Sequence, residues 1–325
     1  MSAALDEIRK PVEKAMDEFE VHFSTSMKGD VPLLETITRY ILKRKGKQLR
    51  PMFVFLSAGM HGGITDTSFR AATLIELLHT ATLVHDDVVD DSNQRRGFFS
   101  INALWKNKIA VLVGDFLLSK GLLLSVEHSD HNLLKIVSEA VRVMSEGELL
   151  QLEKARRLDI SEDVYFEIIR RKTASLIASC CACGAASAGA SFSETEKMYR
   201  IGELIGIAFQ IKDDLFDFGP DGIIGKPTGT DIKESKMTLP LIHALADAEY
   251  ADKRRVIRLI KSRTTDREQI DEVIGFVRRS GGIVSAHQKM MEYRQKALDE
   301  LAGFPYSDYR ESLEKLIRYT TDRSA

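Results

Sequence analysis

Two groups of aspartates are the strongest candidates for chemical function in this sequence. The first lies in His-Asp-Asp-Val-Val-Asp-Asp, where Asp86, Asp87, Asp90 and Asp91 follow His85. In a helix, Asp86 and Asp90 would share a face, because residues four apart are neighbours. Clustered carboxylates near a helix C-terminus repel one another and oppose the helix dipole. Mg²⁺ prefers oxygen ligands and would remove that repulsion, whereas a solvated acidic helix end is the alternative.

The second group repeats this pattern further along the chain. Asp213, Asp214 and Asp217 again form Asp-Asp-x-x-Asp, and Gln210 precedes them. Gln210, Asp214 and Asp217 recur at the spacing that places residues on one helix face. One such motif is weak evidence, but two at the ends of apolar helices predict a shared site for several metal ions.

Basic residues accompany both groups of acids. Taken singly, each is more often a surface charge than a ligand. Together with the acids they predict two phosphate-binding sites, one bridged by metal ions and one held directly by Arg and Lys. These residues are Lys47, Arg50, Arg95, Arg96 and Lys172.

Further lysines lie in a segment that we expect to be a loop. The stretch 219–237 holds repeated Gly and Pro, which interrupt helices. Lys226, Lys233 and Lys236 make it basic. Directly after an acidic helix end, such a loop could act as a lid over a phosphate, and a solvated connector is the alternative.

The elements that position these residues are predicted to be helices. Apolar residues recur with helical spacing, and no stretch shows sustained strand alternation with hairpin signals. Ser161 is an expected helix N-cap, and capping boxes are expected at Ser193 with Glu196 and at Thr265 with Glu268. The longest expected helices cover 71–91, 101–126, 132–157 and 161–190, and another ends near 218.

The composition describes an ordinary soluble globular chain. Its 325 residues are 44% hydrophobic and 29% charged, and the net charge of −2 gives no sequence-wide attraction to nucleic acid. Residues 1–20 lack the apolar core of a secretory signal and the composition of a transit peptide. The uncharged stretch 173–193 is rich in Ala, Ser, Gly and Cys, which predicts a buried helix and no membrane span.

The spacing of the three cysteines indicates no chemical role. Cys180, Cys181 and Cys183 suit neither a zinc site nor a disulfide framework. We expect buried, reduced thiols, which fit a cytoplasmic protein.

The motifs and their order resemble the trans-isoprenyl diphosphate synthases, the polyprenyl synthetase family, over nearly everything from residue 41 onward. The resemblance implies an all-α bundle of antiparallel helices around a deep central cavity, the isoprenoid synthase fold. It implies a single domain over 1–325 and a homodimer. The matching motifs are Gly46-Lys-x-x-Arg-Pro51, both Asp-Asp-x-x-Asp motifs, Arg95-Arg96-Gly97, Lys172-Thr173, Gly225-Lys-Pro-Thr-Gly-x-Asp231, Thr238-Leu-Pro240 and the pattern over 301–323.

The same resemblance implies roles for individual residues. A set of about three Mg²⁺ ions would be held by carboxylates, namely Asp86, Asp87, Asp90, Asp213, Asp214 and Asp217. The allylic diphosphate would be bound by Arg95, Lys172, Thr173, Gln210, Lys226 and Lys236, with Lys172 and Gln210 also counted as catalytic. Isopentenyl diphosphate would be bound by Lys47, Arg50, His79 and Arg96. By its position alone, His79 could also be a satisfied core histidine.

The implied reaction is a Mg²⁺-dependent head-to-tail condensation of isopentenyl diphosphate with geranyl or farnesyl diphosphate. The alternatives are a short-chain synthase, a non-catalytic subunit of a heteromeric synthase, and a class I terpene cyclase, whose second motif usually differs. Two positions depart from the family pattern: Ser235 replaces a usual Gly, and Phe98-Phe99 replace smaller or basic residues.

Small residues before the first acidic motif predict a long product. Ala81 and Thr82 lie one helix turn below Asp86, where bulky aromatics stop short-chain elongation in the family. Leu78 lies one turn deeper, and Gly121 is expected on a neighbouring helix. We therefore expect a product beyond about twenty carbons, such as a quinone side chain, although Ala81 and Thr82 could instead serve close helix packing.

Overall fold

The computed structural model describes residues 3–44, 46–95, 97–157, 160–219, 228–262 and 265–323. Helices make up nearly all regular structure in these residues, which confirms the predicted all-α class. In chain order they are α1 Ala3–Arg9, α2 Glu13–Ser26, α3 Pro32–Leu42, α4 Leu49–Met60, α5 Asp66–Val89, α6 Ile101–Glu127, α7 His131–Arg157, α8 Glu162–Ile169, α9 Ser175–Ser187, α10 Phe192–Phe216, α11 Thr230–Lys233, α12 Leu239–Ala246, α13 Tyr250–Lys261, α14 Arg267–Arg279, α15 Gly282–Ala302 and α16 Asp308–Asp322.

The chain divides into two compact units. Unit 1 comprises Met1–Ser138, Ser179–Met198 and Tyr306–Leu313. Unit 2 comprises Glu139–Ala178, Tyr199–Pro305 and Glu314–Ala325. That the whole chain is one domain stays a prediction.

Unit 1 is built around the long pair α5 and α6. A capping box starts α5: the Thr65 hydroxyl accepts from the Ser68 amide, and the Ser68 hydroxyl accepts from the Thr65 amide. Apolar side chains of α4 fill the core beside this pair, and Phe53 and Phe55 are fully buried there. Burial of such side chains stabilises the platform that ends at the first acidic motif.

The stretch after Ser161 is helical to Ser187 but changes its winding. Ser161 is the N-cap of α8, as predicted, and its hydroxyl accepts from the Val164 amide at 3.4 Å. Residues Arg170–Ala174 form one π-helical segment between α8 and α9. The sequence predicts one regular helix over 161–190, and its local pattern gives no sign of the π segment. Such segments are rare and are frequent at functional sites.

Small residues allow close backbone contacts along α9, as the composition of 173–193 predicted. In unit 1, a Cβ atom on Gly184 would lie 2.3 Å from the Val54 carbonyl oxygen. In unit 2, a Cβ atom on Gly202 would lie 2.6 Å from the Cα atom of Ala178. The three cysteines are free and buried, which confirms their expected packing role.

Two predicted helix starts are wrong by one or two residues. The capping box of α10 joins Ser191 and Glu194, whose carboxylate accepts from the Ser191 amide at 2.9 Å. Asp266, whose carboxylate accepts from the Glu268 amide at 3.0 Å, caps α14 in place of Thr265. In both cases another capping residue stands within two positions, and local spacing alone does not choose between them.

Two short elements were not expected from the sequence. Gln94–Arg95 and Phe98–Phe99 form a two-stranded antiparallel hairpin, which turns at Gly97 with φ +77°. The short helix α11 lies within the stretch expected to be a loop. Residues 220–227 of that stretch, including Lys226, lie outside the described residues.

One helix has an unusual surface. Among the described residues, only α6 is long and apolar enough to cross a membrane, and 33% of its most apolar window is buried. This criterion uses only the length and composition of a helix, and core helices of soluble proteins also satisfy it. In the sequence alone, 173–193 is the stretch whose length and lack of charge raise this question. The absence of a membrane span stays a prediction.

Candidate active site

The first acidic motif occupies the C-terminal end of α5 in unit 1. Asp86 is half-buried, Asp87 is 4% exposed, and Asp90, the C-cap residue, is exposed. The Asp87 carbonyl accepts from the Asn102 amide nitrogen at 3.1 Å and from the Ser92 backbone amide at 2.9 Å. These bonds hold the helix end against the start of α6.

His85 joins the same helix end to the middle of α6. Its Nε2 atom lies 3.2 Å from the Val111 carbonyl oxygen and 3.5 Å from Asp115 Oδ1. The ring lies where a side chain of Gly114 would stand, since a Cβ atom there would be 2.1 Å from Nε2. Gly114 is therefore required for this contact, which fixes the rotation of α5 just before Asp86.

The residues assigned to isopentenyl diphosphate lie at the N-terminus of α4 and on α5. Arg50 donates from Nη1 to Glu76 at 3.3 Å and contacts Nε2 of His79 through Nη2. His79 is thus a partner of a cation and not only a core residue. Lys47 is exposed in the loop before α4, and Gln48, with φ 51°, ends that loop. The structure thus brings Arg50 and His79 together.

The arginine pair after the first motif lies on the hairpin. Arg95 belongs to its first strand, and Arg96 lies outside the described residues. The Tyr40 hydroxyl of α3 donates to the Phe99 carbonyl at 2.6 Å, and the Arg44 guanidinium lies 4.8 Å from the centre of the Phe98 ring. The unusual aromatic pair therefore links the hairpin to the end of α3.

The proposed chain-length residues lie along the interface of α5 and α6. Ala81 and Leu78 are buried, and Thr82 donates its hydroxyl proton to the Leu78 carbonyl at 2.9 Å. On α6, a Cβ atom on Gly121 would lie 3.2 Å from Leu74 and 3.7 Å from Leu78. Gly121 thus packs against α5 one to two turns below Ala81, on the neighbouring helix where the sequence analysis expected it.

The second acidic motif occupies the end of α10 in unit 2. Asp213 pairs with Arg323, whose guanidinium lies 4.2 Å from the centre of the Phe209 ring. Asp217 accepts from the backbone amides of Thr230 at 2.8 Å and Asp231 at 3.1 Å, and so caps α11.

Asp214 is the buried member of this motif. It is 5% exposed, and it accepts from the Tyr165 hydroxyl at 2.7 Å and from the Gln210 amide at 2.9 Å. Burial, with the negative charge of Asp231, raises the pKa of Asp214 to about 7, although both hydrogen bonds favour its ionised form. Burial likewise raises the pKa of Asp217, against the effect of its backbone hydrogen bonds. A nearby cation would relieve this excess of negative charge.

The lysine and threonine assigned to the allylic diphosphate lie in the π segment. Lys172 Nζ lies 2.5 Å from Glu148 and 3.1 Å from the amide oxygen of Gln151. Thr173 donates to Gln210 Oε1 at 2.8 Å. In unit 2 the structure therefore brings Thr173, Gln210 and Asp214 together.

Lys236 follows α11 and lies near acids of the same turn. Its Nζ atom is 2.5 Å from Glu234 and 3.8 Å from Asp231. Ser235 has φ 57°, the left-handed conformation for which glycine is the usual residue. The Ser235 hydroxyl donates to the Ile260 carbonyl at 2.9 Å, which offsets part of the strain. The serine is therefore accommodated where the family pattern has glycine.

The acidic side chains fit a hard divalent cation by their chemistry. Carboxylate oxygens are the ligands that Mg²⁺ prefers, and neither acidic motif offers a soft ligand. Among the described residues, no three His, Cys, Asp or Glu side chains already converge as a metal-binding group. Arg323 forms an ion pair with Asp213, so a protein cation already contacts one of these carboxylates.

Several functional candidates were not found from the sequence. Tyr165 lies two helix turns before Lys172, in an apolar run that predicts only a buried structural residue. Arg323 falls within the matched C-terminal pattern, but its position in the sequence does not indicate which residue it pairs with. His85 directly precedes Asp86. In the sequence, the glycine at position 114 is the one feature related to its contact, because the histidine ring occupies the space of a side chain there.

Comparison with known proteins identifies relatives over the full length. The family model described as polyprenyl synthetase matches residues 31–277. The octaprenyl diphosphate synthase of Haemophilus influenzae is 34% identical over 322 residues, covering 99% of this chain and 98% of that protein. The all-trans-nonaprenyl-diphosphate synthase (geranyl-diphosphate specific) of Rhodobacter capsulatus is 37% identical, covering 95% of this chain and 94% of that protein.

Solved structures agree with these matches. A polyprenyl synthase from Caulobacter crescentus, complexed with calcium and isoprenyl diphosphate, has a TM-score of 0.92 at 35% identity, covering 100% of this chain and 99% of that one. A decaprenyl diphosphate synthase from Rhodobacter capsulatus has a TM-score of 0.93 at 32% identity, covering 99% of each chain. The isoprenoid synthase fold expected from the sequence is confirmed.

Proposed function

Because this chain belongs to the polyprenyl synthetase family, we propose that it is a Mg²⁺-dependent trans-prenyltransferase that condenses isopentenyl diphosphate with geranyl or farnesyl diphosphate. Its product is a long all-trans polyprenyl diphosphate. The observation that carries the proposal is the pair of Asp-Asp-x-x-Asp motifs, each at the end of an apolar helix. Full-length similarity to octaprenyl and nonaprenyl diphosphate synthases supports the long product.

The reaction breaks the C–O bond of the allylic diphosphate and forms one C–C bond. About three bound Mg²⁺ ions would neutralise charge on the leaving diphosphate. The carboxylates of both motifs would hold these ions, and Arg95, Lys172 and Lys236 would bind the diphosphate directly. Lys226, outside the described residues, belongs to the same proposal.

The second substrate would be held by its own basic residues. Lys47, Arg50, His79 and Arg96 would bind the diphosphate of isopentenyl diphosphate and orient its double bond toward the allylic carbon. Once the new bond has formed, a proton leaves the condensed product, and the released diphosphate is the base that accepts it. Arginine suits this diphosphate site because its planar group donates two parallel hydrogen bonds.

The growing prenyl chain would run between α5 and α6. Ala81 and Gly121 are two of the small residues of this interface, and Leu78 lies between them in depth. The absence of a bulky side chain at Ala81 and Thr82 supports elongation past about twenty carbons, since a ring there would fill the space below Asp86. A quinone side chain is the use we propose for such a product.

A second copy of the chain would cover the apolar face of α6. Large apolar side chains of this helix are exposed in the single chain, and a face of this kind marks an interaction surface. We therefore propose a homodimer, and a cytoplasmic location to which the reduced cysteines are suited. The exposed side chains are Leu104, Val111, Leu112, Leu122, Leu123 and Val126.

Two other functions have support among the relatives, and the experiment described next distinguishes them. A short-chain isoprenyl diphosphate synthase of Methanothermobacter thermautotrophicus is 35% identical to this chain. Component 2 of a heptaprenyl diphosphate synthase from Bacillus subtilis is 33% identical. The first similarity favours a shorter product, and the second favours a chain that works with another subunit.

The purified chain should be incubated with labelled isopentenyl diphosphate, Mg²⁺ and either geranyl or farnesyl diphosphate in separate reactions, and the dephosphorylated product separated by chromatography. We expect incorporation without a second protein, a product longer than about twenty carbons, and loss of activity with a chelator. Lack of incorporation by the pure chain would favour a heteromeric enzyme. A product of fifteen or about twenty carbons would identify a short-chain synthase. Sedimentation at micromolar concentration tests the dimer, and a monomer would contradict it.

A further inference from the structure

A stack of one arginine and two aromatic rings in unit 1 joins two segments that carry proposed diphosphate ligands. We infer that Arg44 and Phe98 are positioning residues, whose contact holds the hairpin of Arg95 against the segment that leads from α3 to Lys47. This inference rests on the proposed prenyl transfer. It gives the unusual aromatic pair a role in substrate binding, although neither side chain of the contact is itself assigned to a substrate.

The contacts run from the end of α3 to the second strand of the hairpin. The Cζ atom of the Arg44 guanidinium lies 3.2 Å from the centre of the Tyr40 ring and 4.8 Å from the centre of the Phe98 ring. Both distances are within the range of a cation–π interaction. The Tyr40 hydroxyl also donates to the Phe99 carbonyl at 2.6 Å. Two consecutive hairpin residues are therefore bound to the same helix end, one through its side chain and one through its backbone.

Arg44 is held in place by the helix that precedes it. Its backbone amide donates to the Ile41 carbonyl at 3.0 Å, and its Nη1 atom donates to the Tyr40 carbonyl at 2.9 Å. A cation is favoured at a helix C-terminus, because the last carbonyl groups have no partner within the helix. The end of α3 therefore fixes the guanidinium group that the hairpin contacts.

The hairpin needs such a contact because each of its strands has only two residues. An isolated two-stranded hairpin is marginally stable at best. Burial adds little here, since Phe98 is 49% and Phe99 57% exposed. Ser100 closes the base, where its backbone amide donates to the Asn93 carbonyl at 3.1 Å. Nearer the turn, Phe98 stands opposite Arg95 in the register of the strands, so a contact that holds Phe98 also holds the backbone of Arg95.

The substrates proposed for both segments are anions, so the kind of contact matters. Among the described residues, the Arg44 guanidinium meets two rings and a carbonyl oxygen, none of which carries a full negative charge. A carboxylate could also hold the arginine, but it would repel a diphosphate nearby. An aromatic ring fixes the arginine and leaves its positive charge in the field that attracts the substrates.

The stack also gives a physical reason for the residue at position 98, where the family pattern has a smaller or basic side chain. A basic side chain there would repel the Arg44 guanidinium, and a small one would leave it without the second ring. Arg44 and Phe98 therefore form a matched pair. Their effects on substrate binding must then be coupled, because once one partner is lost the other has no contact left to lose.

The single tryptophan of the chain lies beside this stack and can report on it. Trp105, near the start of α6, meets the Tyr40 ring edge to face, with ring centres 5.1 Å apart and an interplanar angle of 83°. Tyr40 thus contacts both Arg44 and Trp105. A looser stack gives a small quencher such as acrylamide more access to the indole ring.

The test is a double-mutant cycle of Arg44→Gln and Phe98→Leu, with both changes combined in a third variant. Phe99→Leu is the matched control, because it makes the same change at an adjacent exposed ring, whereas among the described residues the ring of this pair that meets Arg44 is that of Phe98. Lys43→Gln removes a positive charge from the exposed neighbouring residue. Steady-state kinetics gives kcat and both KM values, and acrylamide quenching of Trp105 requires no turnover. Thermal melts followed by circular dichroism establish that each variant is folded.

We expect each single variant to raise the KM for both diphosphates about three- to tenfold and to keep kcat within about twofold, because substrate binding is disturbed and the chemical step is not. The double variant should match the more severe single variant. Quenching of Trp105 should increase in all three. Both controls should match the wild type in KM and in quenching.

Three kinetic results would overturn the inference. These are unchanged KM values in both single variants, KM increases that multiply in the double variant, and an equal KM increase in Phe99→Leu. An inactive wild type would instead count against the proposed function. The quenching cycle would then decide by itself whether Arg44 and Phe98 are coupled, and independent effects on Trp105 would contradict the stack.

Discussion

Gly206 of α10 and Ala174 of the π segment meet backbone to backbone: a Cβ atom on Gly206 would stand 2.4 Å from the Cα atom of Ala174. This contact brings Thr173, the residue before Ala174, within reach of Gln210, whose Oε1 atom accepts its hydroxyl proton at 2.8 Å. Because Gly206 has no side chain, the two backbones can approach closely, and the arrangement of the candidate site depends on this packing.

Replacement of this glycine should therefore harm both stability and activity. In Gly206→Ala the helices must separate, and we expect a loss of about 1–3 kcal/mol in unfolding free energy together with a fall in kcat. Gly275→Ala is the matched control, because a Cβ atom there meets only the Arg279 guanidinium at 3.1 Å. The control should be neutral or slightly stabilising, since alanine favours helices. Equal denaturation midpoints for the two variants would show that the close contact has no energetic weight.

Arg323 should compete with metal ions for Asp213. Removing the guanidinium in Arg323→Gln frees the carboxylate, and we expect Mn²⁺ to bind the substrate-free protein about two- to fivefold more tightly, the range for a partly exposed ion pair. Arg318→Gln removes the same charge from an exposed position on α16 and serves as the control. Isothermal titration calorimetry measures both. Tighter binding in both variants would point to net charge, and weaker binding in Arg323→Gln would mean that the arginine assists the metal.

The stability of the metal-free protein should depend on pH through Asp214. Its pKa is about 7 in the folded protein against an ordinary value of 3.8. Between these pH values the folded protein holds a proton that the unfolded chain has lost, so stability falls as pH rises from about 4 to about 7 and stays lower above it. Asp214→Asn removes this dependence.

The difference in melting temperature between Asp214→Asn and wild type, measured with a chelator present, should therefore grow in favour of the variant from pH 5 to pH 8. A gain of a few degrees is expected at pH 8. Added Mg²⁺ should reduce the difference, since cations near the motif stabilise the carboxylates. A difference that is constant with pH would contradict the raised pKa.

Product length should respond to added bulk at two depths of the α5–α6 interface. Ala81→Phe places a ring one turn below Asp86 and should shorten the product to fifteen or about twenty carbons while condensation continues. Gly121→Leu adds bulk against Leu74 and Leu78, and should give products of intermediate length. Chromatography of dephosphorylated products gives both lengths. The same length from both variants and wild type would place the chain path elsewhere.

The fold and the motifs were predictable because each depends on residues close in sequence. Helical periodicity located α6 and α7 to within one residue at most at each end. The positions of Asp86 and Asp213 at helix ends followed from local spacing in the same way. Helix caps were less certain, since Ser191 and Ser193 are both suitable and only the packed chain selects one.

Contacts between distant residues were not predictable. Arg323 and Asp213 are 110 positions apart, and no local pattern pairs them. Tyr165 resembles any core aromatic until its hydroxyl is placed 2.7 Å from Asp214. The π segment also depends on its neighbours, because Gly147 and Gly206 leave room for it. These features arise from tertiary packing, which overrides local preference.

The three buried cysteines make the natural chain suitable for site-specific labelling. Burial raises the pKa of Cys181 to about 12 and that of Cys180 and Cys183 well above its ordinary value, so none offers a thiolate to maleimide reagents near neutral pH. A cysteine introduced at Val89, which is 69% exposed at the end of α5, would be the single reactive thiol. A second at Arg318 would permit paired dyes or spin labels on the two units, and the distance between them could be followed as substrates and metal bind.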